Sequence, residues 1–310
     1  MNENNRNTTI FLILTFFLSW TLILGFYLAG GVLHSVSGMV IGVIFMFMPT
    51  VATLITQRYF VKEPIATALG IKLSINRWYF VGWFSPLIFS LLVFAVALLL
   101  PGVEFSTELE RFSGQFEKMS DPKKLGVLKS MLKESPIQSV VLGTFSALFA
   151  GLTINAIAGF GEELGWRGFL VRQFSHLSFW RTSLLIGFIW GIWHGPLILL
   201  GHNYPMHPAI GVGMMTIFAI LLSPLFLYVR LKSGSVISVA IMHGTINASS
   251  GLAVILLRGG NDLLVGVTGL AGFIVLVLLN LVLVVYDRYM SKTPILSSPS
   301  LTPHITPSNP

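Results

Sequence analysis

The hydrophobic and polar positions of this chain form long apolar stretches separated by short polar segments. Eight of the stretches are close to the roughly 20 residues that a helix needs to cross a bilayer. They cover residues 8–29, 37–56, 78–100, 138–160, 183–200, 209–229, 235–257 and 264–286. This pattern predicts an all-α fold, a polytopic membrane bundle of about eight transmembrane helices that forms one domain over residues 1–291.

Two polar segments fall outside this pattern. Residues 292–310 are rich in serine, threonine and proline, and such a composition cannot bury a core of its own. We therefore predict a disordered cytoplasmic tail over residues 292–310. Residues 101–137 carry six basic and six acidic residues, and we expect this balanced segment to form a helical cap between two spans.

Composition narrows the class of protein. Apolar residues make up 54% of the chain and charged residues only 10%, with a mean hydropathy of +0.81, whereas soluble domains carry about 25% charged residues. The chain has no cysteine, which excludes disulfides, thiolate metal ligands and a cysteine nucleophile. In a membrane protein the net charge of +7 fits loops that face anionic lipids, and we expect no nucleic-acid partner.

Lysine and arginine are concentrated in alternate connecting segments. Residues 57–77, 160–182 and 230–232 and the segment after 286 are basic, whereas the loops near His34 and at 201–208 carry neither residue. The positive-inside rule then predicts that both termini are cytoplasmic. The first apolar stretch is too long for a signal peptide and lacks a cleavage site. The chain shows no eukaryotic address, so we expect a multi-pass protein of a bacterial plasma membrane.

A few ionisable and amide side chains lie at the ends of, or inside, the apolar stretches. They are Glu162, Glu163 and Arg167 at the end of the fourth stretch, His194 in the fifth, and His243 and Asn247 in the seventh. An ionisable side chain costs about 2.5–3.5 kcal/mol at the centre of a membrane helix, so it indicates a functional site. Glu163 precedes Arg167 by four positions, the order that favours an ion pair. Glu162, rotated by about 100° around the helix, remains free to face a pocket.

These residue types could hydrolyse a peptide bond inside the membrane. Glu162 and His194 could hold and deprotonate a water molecule, while His243 and Asn247 could donate hydrogen bonds to a developing oxyanion. Trp190 and Trp193 are candidates for forming a wall of the substrate-binding site. We expect no cofactor.

A metal ion remains an alternative. Glu162, His194 and His243 could hold a zinc ion with an activated water. Asparagine is an uncommon zinc ligand, and the chain lacks the His-Glu-x-x-His form. For these reasons the metal-free arrangement is preferred.

Three motifs resemble those of a known family in type and order: Glu-Glu-x-x-x-Arg (Glu162 to Arg167), aromatic-x-x-x-His (Trp190 to His194) and His-x-x-x-Asn (His243 to Asn247). The family is the CPBP group, the CAAX prenyl endopeptidases and bacteriocin-processing proteins, also called the Abi family. The resemblance covers about residues 151–251. One departure is Trp190, where the family more often has phenylalanine.

The resemblance implies an all-helical intramembrane endopeptidase. It implies that the first glutamate and the second-motif histidine activate water. The third-motif histidine and asparagine would then form the oxyanion hole. The implied partners are the bilayer and a peptide or membrane-protein substrate, which could be CAAX-like or a bacterial peptide.

Two other classes remain open. A transporter would also place polar groups at mid-depth, but its inverted repeats or paired broken helices are not visible in the sequence. The other class is a non-catalytic scaffold or bacteriocin self-immunity protein, whose function would not depend on hydrolysis by the motif residues.

Overall fold

The computed structural model describes residues 3–107 and 135–305, and most of these residues are helical. In chain order the elements are α1 Glu3–Leu28, α2 Val36–Thr56, α3 Ile65–Leu69, α4 Arg77–Ala97, β1 Val103–Phe105, α5 Pro136–Leu152, α6 Ile154–Glu163, α7 Val171–Gln173, α8 Phe179–Trp193, α9 Gly195–Leu199, α10 Pro208–Ser233, α11 Val236–Ser249, β2 Leu257–Gly259, α12 Leu270–Tyr289 and α13 Thr302–Ile305. Two π-helical segments, Gln57–Val61 and Leu164–Leu170, and a 3₁₀ turn, Ser250–Ala253, extend the helices before them. Strands β1 and β2 pair antiparallel.

Among the described residues, six helices are long and apolar enough to cross a membrane. They are α1, α2, α4, α10, α11 and α12, where α2 and α11 include their extensions. A seventh candidate is α5 together with α6 and α7, which are bent by 47° relative to α5 and reach the required length only when they are counted as one span. The protein is therefore an integral, multi-pass helical membrane protein, as the apolar pattern predicted.

The fourth and fifth apolar stretches differ from the prediction of eight continuous spans. The fourth breaks at Thr153, and its second half continues through the Glu-Glu motif to Gln173. In the fifth stretch, α8 ends at Trp193 after 15 residues, and Pro196 lies in the first turn of the five-residue α9. Proline lacks the N–H that would continue the α8 ladder and its ring clashes with the preceding turn. His194 consequently lies at a helix break.

Helix α11 lies at the centre of the fold, packed against α4, α5 and α6. Its close approach to α6 depends on two glycines. A Cβ at Gly244 would lie 2.5 Å from the backbone nitrogen of Ala156, and one at Gly159 would lie 2.9 Å from the carbonyl oxygen of Ala240. Small residues allow helix backbones to approach in this way. The contact brings the third motif beside the first.

The C-terminal segment is packed up to Ile305, so the predicted disorder of residues 292–310 is wrong for residues 292–305. Ile295 and Leu301 are buried, with 2% and 0% of their surface exposed. The carboxylate of Asp287 accepts hydrogen bonds from the backbone N–H groups of Ile295 and Leu296. The prediction rested on the serine- and proline-rich composition of the segment and did not consider the two large side chains that anchor it. Residues 306–310, like most of the predicted helical cap (108–134), lie outside the described residues.

The two ends of the described chain meet on one face of the bundle. Glu3 and Ile305 line the same polar cavity of about 330 Å³. The Leu301 N–H also donates to the carbonyl of Ser175, 2.7 Å away, in the turn after α7. That this face is the cytoplasmic one remains a prediction.

Candidate active site

Glu162 is held by two indole N–H groups. Its Oε2 accepts a hydrogen bond from Nε1 of Trp190 at 2.6 Å and a longer one from Nε1 of Trp166 at 3.4 Å. The residue is only 2% exposed, and a buried carboxylate is unfavourable unless it is hydrogen-bonded. The two donors fix one oxygen. The other, Oε1, lies 3.9 Å from Nε2 of His243.

Glu163 forms the ion pair that its spacing from Arg167 led us to expect. Nη1 of Arg167 lies 3.0 and 3.1 Å from the two carboxylate oxygens of Glu163, and both side chains are fully buried. Glu163 Oε1 also lies 2.7 Å from Nδ1 of His243. If the carboxylate is ionised it can only accept, so we assign the proton to His243 Nδ1. With Nδ1 facing Glu163, the other ring nitrogen, Nε2, faces Glu162.

The backbone after Glu163 widens into the π-helical segment Leu164–Leu170, a feature often found at functional sites. Arg167 lies in this segment, and Nε of Arg230 donates to its carbonyl oxygen at 3.1 Å. The Arg167 guanidinium lies 4.5 Å from the ring centre of Trp190 and 4.7 Å from that of Phe226, within the range of cation–π contact. Arg167 is therefore held by its ion pair with Glu163, by the two aromatic rings and by the hydrogen bond to its own carbonyl oxygen.

Sequence reasoning missed the residues of α10 in this cluster. Phe226 contacts the His243 ring at 5.9 Å, and Ser223 Oγ accepts from Arg167 Nη2 at 3.4 Å. Arg230 was counted only as a loop charge, yet it is 4% exposed. Its position between Val229 and Leu231, directly after the sixth apolar stretch, is the signal that could have marked it as buried.

His194 reaches the same region from the break between α8 and α9. Its Nδ1 lies 2.8 Å from the carbonyl oxygen of Trp190. A carbonyl only accepts, so Nδ1 carries the proton and Nε2 has a free lone pair. In the described parts of the chain no hydrogen bond joins His194 to Glu162 or His243. Trp190 is their common neighbour, with its ring centre 5.8 Å from that of His194 and 5.6 Å from that of His243.

Three other candidates lie outside the cluster or act differently from the prediction. Asn247 is one turn beyond His243 on α11, but it is exposed, and no hydrogen bond joins its side chain to another motif residue within 3–107 or 135–305. Trp193 is fully buried and donates to Ser19 Oγ at 2.7 Å, so it packs α8 against α1. Trp190 is 2% exposed. Both tryptophans are buried, and their contact with a substrate stays a prediction.

The metal ion considered above would need at least three ligands that converge on one point. Among the described residues, no three histidine, aspartate or glutamate side chains converge as metal ligands. Glu162, His194 and His243 all contact the indole of Trp190.

This part of the chain is similar to known proteins. Residues 144–249 match the family model described as type II CAAX prenyl endopeptidase Rce1-like, and that range contains all three motifs. The motif region is thus similar to the Rce1-like family. The predicted resemblance to the CPBP group is thereby confirmed. The Rce1-like region begins inside α5 and ends with α11, so it contains the whole cluster.

A curated relative extends the comparison slightly. The protein named CAAX prenyl protease 2 from Methanococcus maripaludis is 31% identical over 145 residues, which are 45% of this chain and 50% of the relative. The chain thus spans about half the length of that relative in the match.

Proposed function

We propose that this protein is an intramembrane endopeptidase that hydrolyses peptide bonds without a metal ion. The observation that carries the proposal is the buried Glu162, which is fixed through Oε2 and has its second oxygen 3.9 Å from a histidine nitrogen. The Rce1-like match of residues 144–249 supports the same reaction class.

Glu162 would act as the general base. The 3.9 Å between Oε1 and His243 Nε2 is too long for a direct hydrogen bond, which leaves that oxygen available to a water molecule. His194, with Nε2 free, would hold the same water as a second acceptor. The water would give a proton to Glu162 while its oxygen bonds to the peptide carbonyl carbon. Glu162 would then pass that proton to the amine nitrogen as the peptide bond breaks.

His243 and Asn247 would stabilise the oxyanion of the tetrahedral intermediate. His243 can donate from Nε2 only when that nitrogen is protonated, since Nδ1 is engaged by Glu163. Two carboxylates and one guanidinium leave the cluster one negative charge in excess, and a proton on His243 balances it. Asn247 would supply a second donor from the next turn of α11. Glu163 and Arg167 are positioning residues.

The substrates we propose are a CAAX-like peptide or a bacterial peptide or membrane protein, cleaved near the cytoplasmic membrane face. The name of the Methanococcus maripaludis relative, CAAX prenyl protease 2, supports testing a CAAX peptide first. A bacterial plasma membrane with cytoplasmic termini remains the proposed location.

The test is peptide cleavage by the purified full-length protein in lipid vesicles. Substrates are a farnesylated CAAX peptide and an unprenylated peptide library, each with and without a chelator. We expect Glu162→Gln to lower the cleavage rate by about 100-fold or more, the usual effect of losing a general base, and the chelator to have no effect. Glu63→Gln, which alters a partly exposed glutamate paired with Arg172, is the control and should cleave normally.

Two results would contradict the proposal. Loss of wild-type activity with chelator would indicate a metal-dependent reaction. Absence of cleavage by the wild type, with an immunity or regulatory phenotype that survives Glu162→Gln, would favour a non-catalytic scaffold.

A further inference from the structure

A second cavity lies away from the candidate active site. It has a volume of about 340 Å³ and is enclosed by α4, α10, α11 and α12, a size within the range of small-ligand pockets. Its walls are almost entirely apolar, for example Phe89, Leu222 and Leu279. The cavity therefore suits a hydrocarbon group.

The cavity and the catalytic cluster lie on different faces of the same two helices. On α11, Met242 and Ile246 line the cavity, while His243 between them contacts Glu163. On α10, Leu225 lines the cavity, while Phe226 contacts His243. None of the motif residues lines this cavity, so it is a separate site.

The mouth of the cavity carries the groups found at a membrane–water interface. Arg77, Trp78 and Tyr286 line it at one end, and tryptophan and tyrosine are enriched at this depth of a bilayer. The Arg77 guanidinium lies 5.4 Å from the ring centre of Trp78. Among the described residues Arg77 has no carboxylate partner within ion-pair distance. Its charge is thus available to an anion at the mouth.

The length of the cavity matches one leaflet. Arg77 and Phe89 are about 18 Å apart along α4 at 1.5 Å per residue, and half of a hydrocarbon core of about 30 Å is about 15 Å. Two wall residues, Val81 and Val282, are 39% and 61% exposed on the outer surface of the bundle. The cavity therefore opens sideways, where lipid would lie, as well as at its charged mouth.

We propose that this cavity binds one anionic phospholipid of the leaflet that faces the chain ends. An acyl chain fills the apolar cavity through the opening between α4 and α12, and the phosphate head group contacts Arg77. The leaflet follows from the position of the mouth: Asn76, next to Arg77, donates to the carbonyl of Ser233, and Lys232 donates to Ser291 at the start of the C-terminal segment. A peptide is a poorer occupant because the apolar walls offer its backbone almost no hydrogen-bond partners.

Native mass spectrometry of the full-length protein in detergent tests the proposal. The protein is titrated with phosphatidylglycerol and, separately, with zwitterionic phosphatidylcholine of the same acyl chains. We expect one molecule of phosphatidylglycerol to bind tightly and phosphatidylcholine to bind more weakly. Arg77→Gln should lower the affinity for the tightly bound phosphatidylglycerol by about fivefold, which is the effect of one cation near an anionic surface. The affinity for phosphatidylcholine should not change.

Ser85→Leu tests the acyl-chain part of the site. Ser85 lines the cavity, and its buried hydroxyl has no hydrogen-bond partner in the described residues, so leucine fills space without removing a bond. We expect the tight lipid to be lost and peptide cleavage to be retained. Leu279→Phe fills the cavity from α12 and is the second variant if Ser85→Leu does not fold.

Arg288→Gln is the matched control, because Arg288 is stacked on Tyr289 at 5.4 Å, as Arg77 is on Trp78, but does not line the cavity. Unchanged lipid binding in Arg77→Gln and Ser85→Leu would overturn the proposal. So would an equal loss in Arg288→Gln, or displacement of the tight lipid by a farnesylated peptide, which would make the cavity part of the substrate site.

Discussion

At the residue scale, Trp190 connects the groups of the proposed reaction. Its N–H donates to Glu162, its ring lies under the Arg167 guanidinium, and it contacts both histidines. The family that the motifs resemble more often has phenylalanine at this position, which supplies the ring but not the N–H. In this chain the indole therefore adds a fixed donor to the carboxylate.

Trp190→Phe should lower kcat for peptide cleavage by about 10- to 100-fold with little change in KM, since a hydrogen bond to a charged group contributes roughly 1.5–3 kcal/mol. The matched control is Trp83→Phe, which loses the hydrogen bond to the carbonyl oxygen of Leu148 and the same volume, and whose ring contacts Phe84 rather than a motif residue. It should reduce thermal stability but leave kcat near the wild-type value. Equal kcat losses in the two variants would contradict a positioning role for Trp190.

The buried ion pair gives a second prediction at this scale. Arg167→Met should lower the free energy of unfolding in detergent by about 3–5 kcal/mol, because Glu163 keeps a buried charge without its partner. The double variant Glu163→Gln/Arg167→Met should recover part of that loss. Arg172→Met breaks the partly exposed pair with Glu63 and should cost about 0–1 kcal/mol. A double variant no more stable than Arg167→Met would refute this account.

The sequence predicted the site only as far as helix periodicity reaches. Spacing by four correctly indicated the Glu163–Arg167 pair, because both residues lie on one helical segment. It could not show that His243 binds Glu163 through Nδ1, which depends on the crossing of two distant helices. Nor could it show that Asn247 is exposed, since sharing a face with His243 does not fix burial along that face.

At the scale of elements, the contact between α6 and α11 sets the distance between the first and third motifs. In Gly244→Ala, the new Cβ would lie 2.5 Å from the carbonyl carbon of Asn155, so the helices must separate. We expect a loss of about 1–3 kcal/mol in unfolding free energy and reduced cleavage. Gly213→Ala on α10, where nothing lies within 4 Å, should be neutral or stabilising by up to about 1 kcal/mol. Wild-type cleavage by Gly244→Ala would show that this contact does not position the site.

Which element boundaries could be predicted depends on the cause of each boundary. Pro196 is a visible reason for α8 to end near His194. The break at Thr153 has no such signal in the sequence, and the structure shows only that the helices on its two sides are bent by 47°. The C-terminal segment was misjudged because two anchoring side chains, Ile295 and Leu301, were outweighed by the polar average around them.

At the scale of the whole molecule, the meeting of the two chain ends restricts the path between them. If both ends lie on one face, the chain must cross the membrane an even number of times. In the described residues seven helices are long enough, when the bent pair is counted as one. An eighth passage would have to come from α8 and α9, which are 15 and 5 residues long and are not among those helices. The pair starts beside the C-terminal segment, which bonds Ser175 and Leu177, and leads to Tyr204, which bonds Thr268 beyond the far end of α11. Eight crossings with both ends on one side therefore stay a prediction.

The C-terminal segment contributes to the stability of the whole bundle. Removal of residues 294–310 should lower the unfolding free energy by several kcal/mol, because it exposes the sites of Ile295 and Leu301, at about 1.5–3 kcal/mol each, and deprives Asp287 of its backbone donors. Removal of residues 306–310 alone deletes none of these contacts and serves as the control. Denaturant unfolding followed by tryptophan fluorescence measures both. Equal stability of the two truncations would show that the packing of this segment contributes nothing.

Because Glu3 and Ile305 line one cavity, the chain could be circularly permuted. A short linker would join the present ends, and new ends could be opened in the exposed turn around Asn203 on the opposite face. Adjacent ends are the condition under which such rearrangements are tolerated. A pair of proteins with the same bundle would then carry a fused fluorescent reporter on opposite sides of a membrane, and the side of the candidate active site could be determined from fluorescence in living cells.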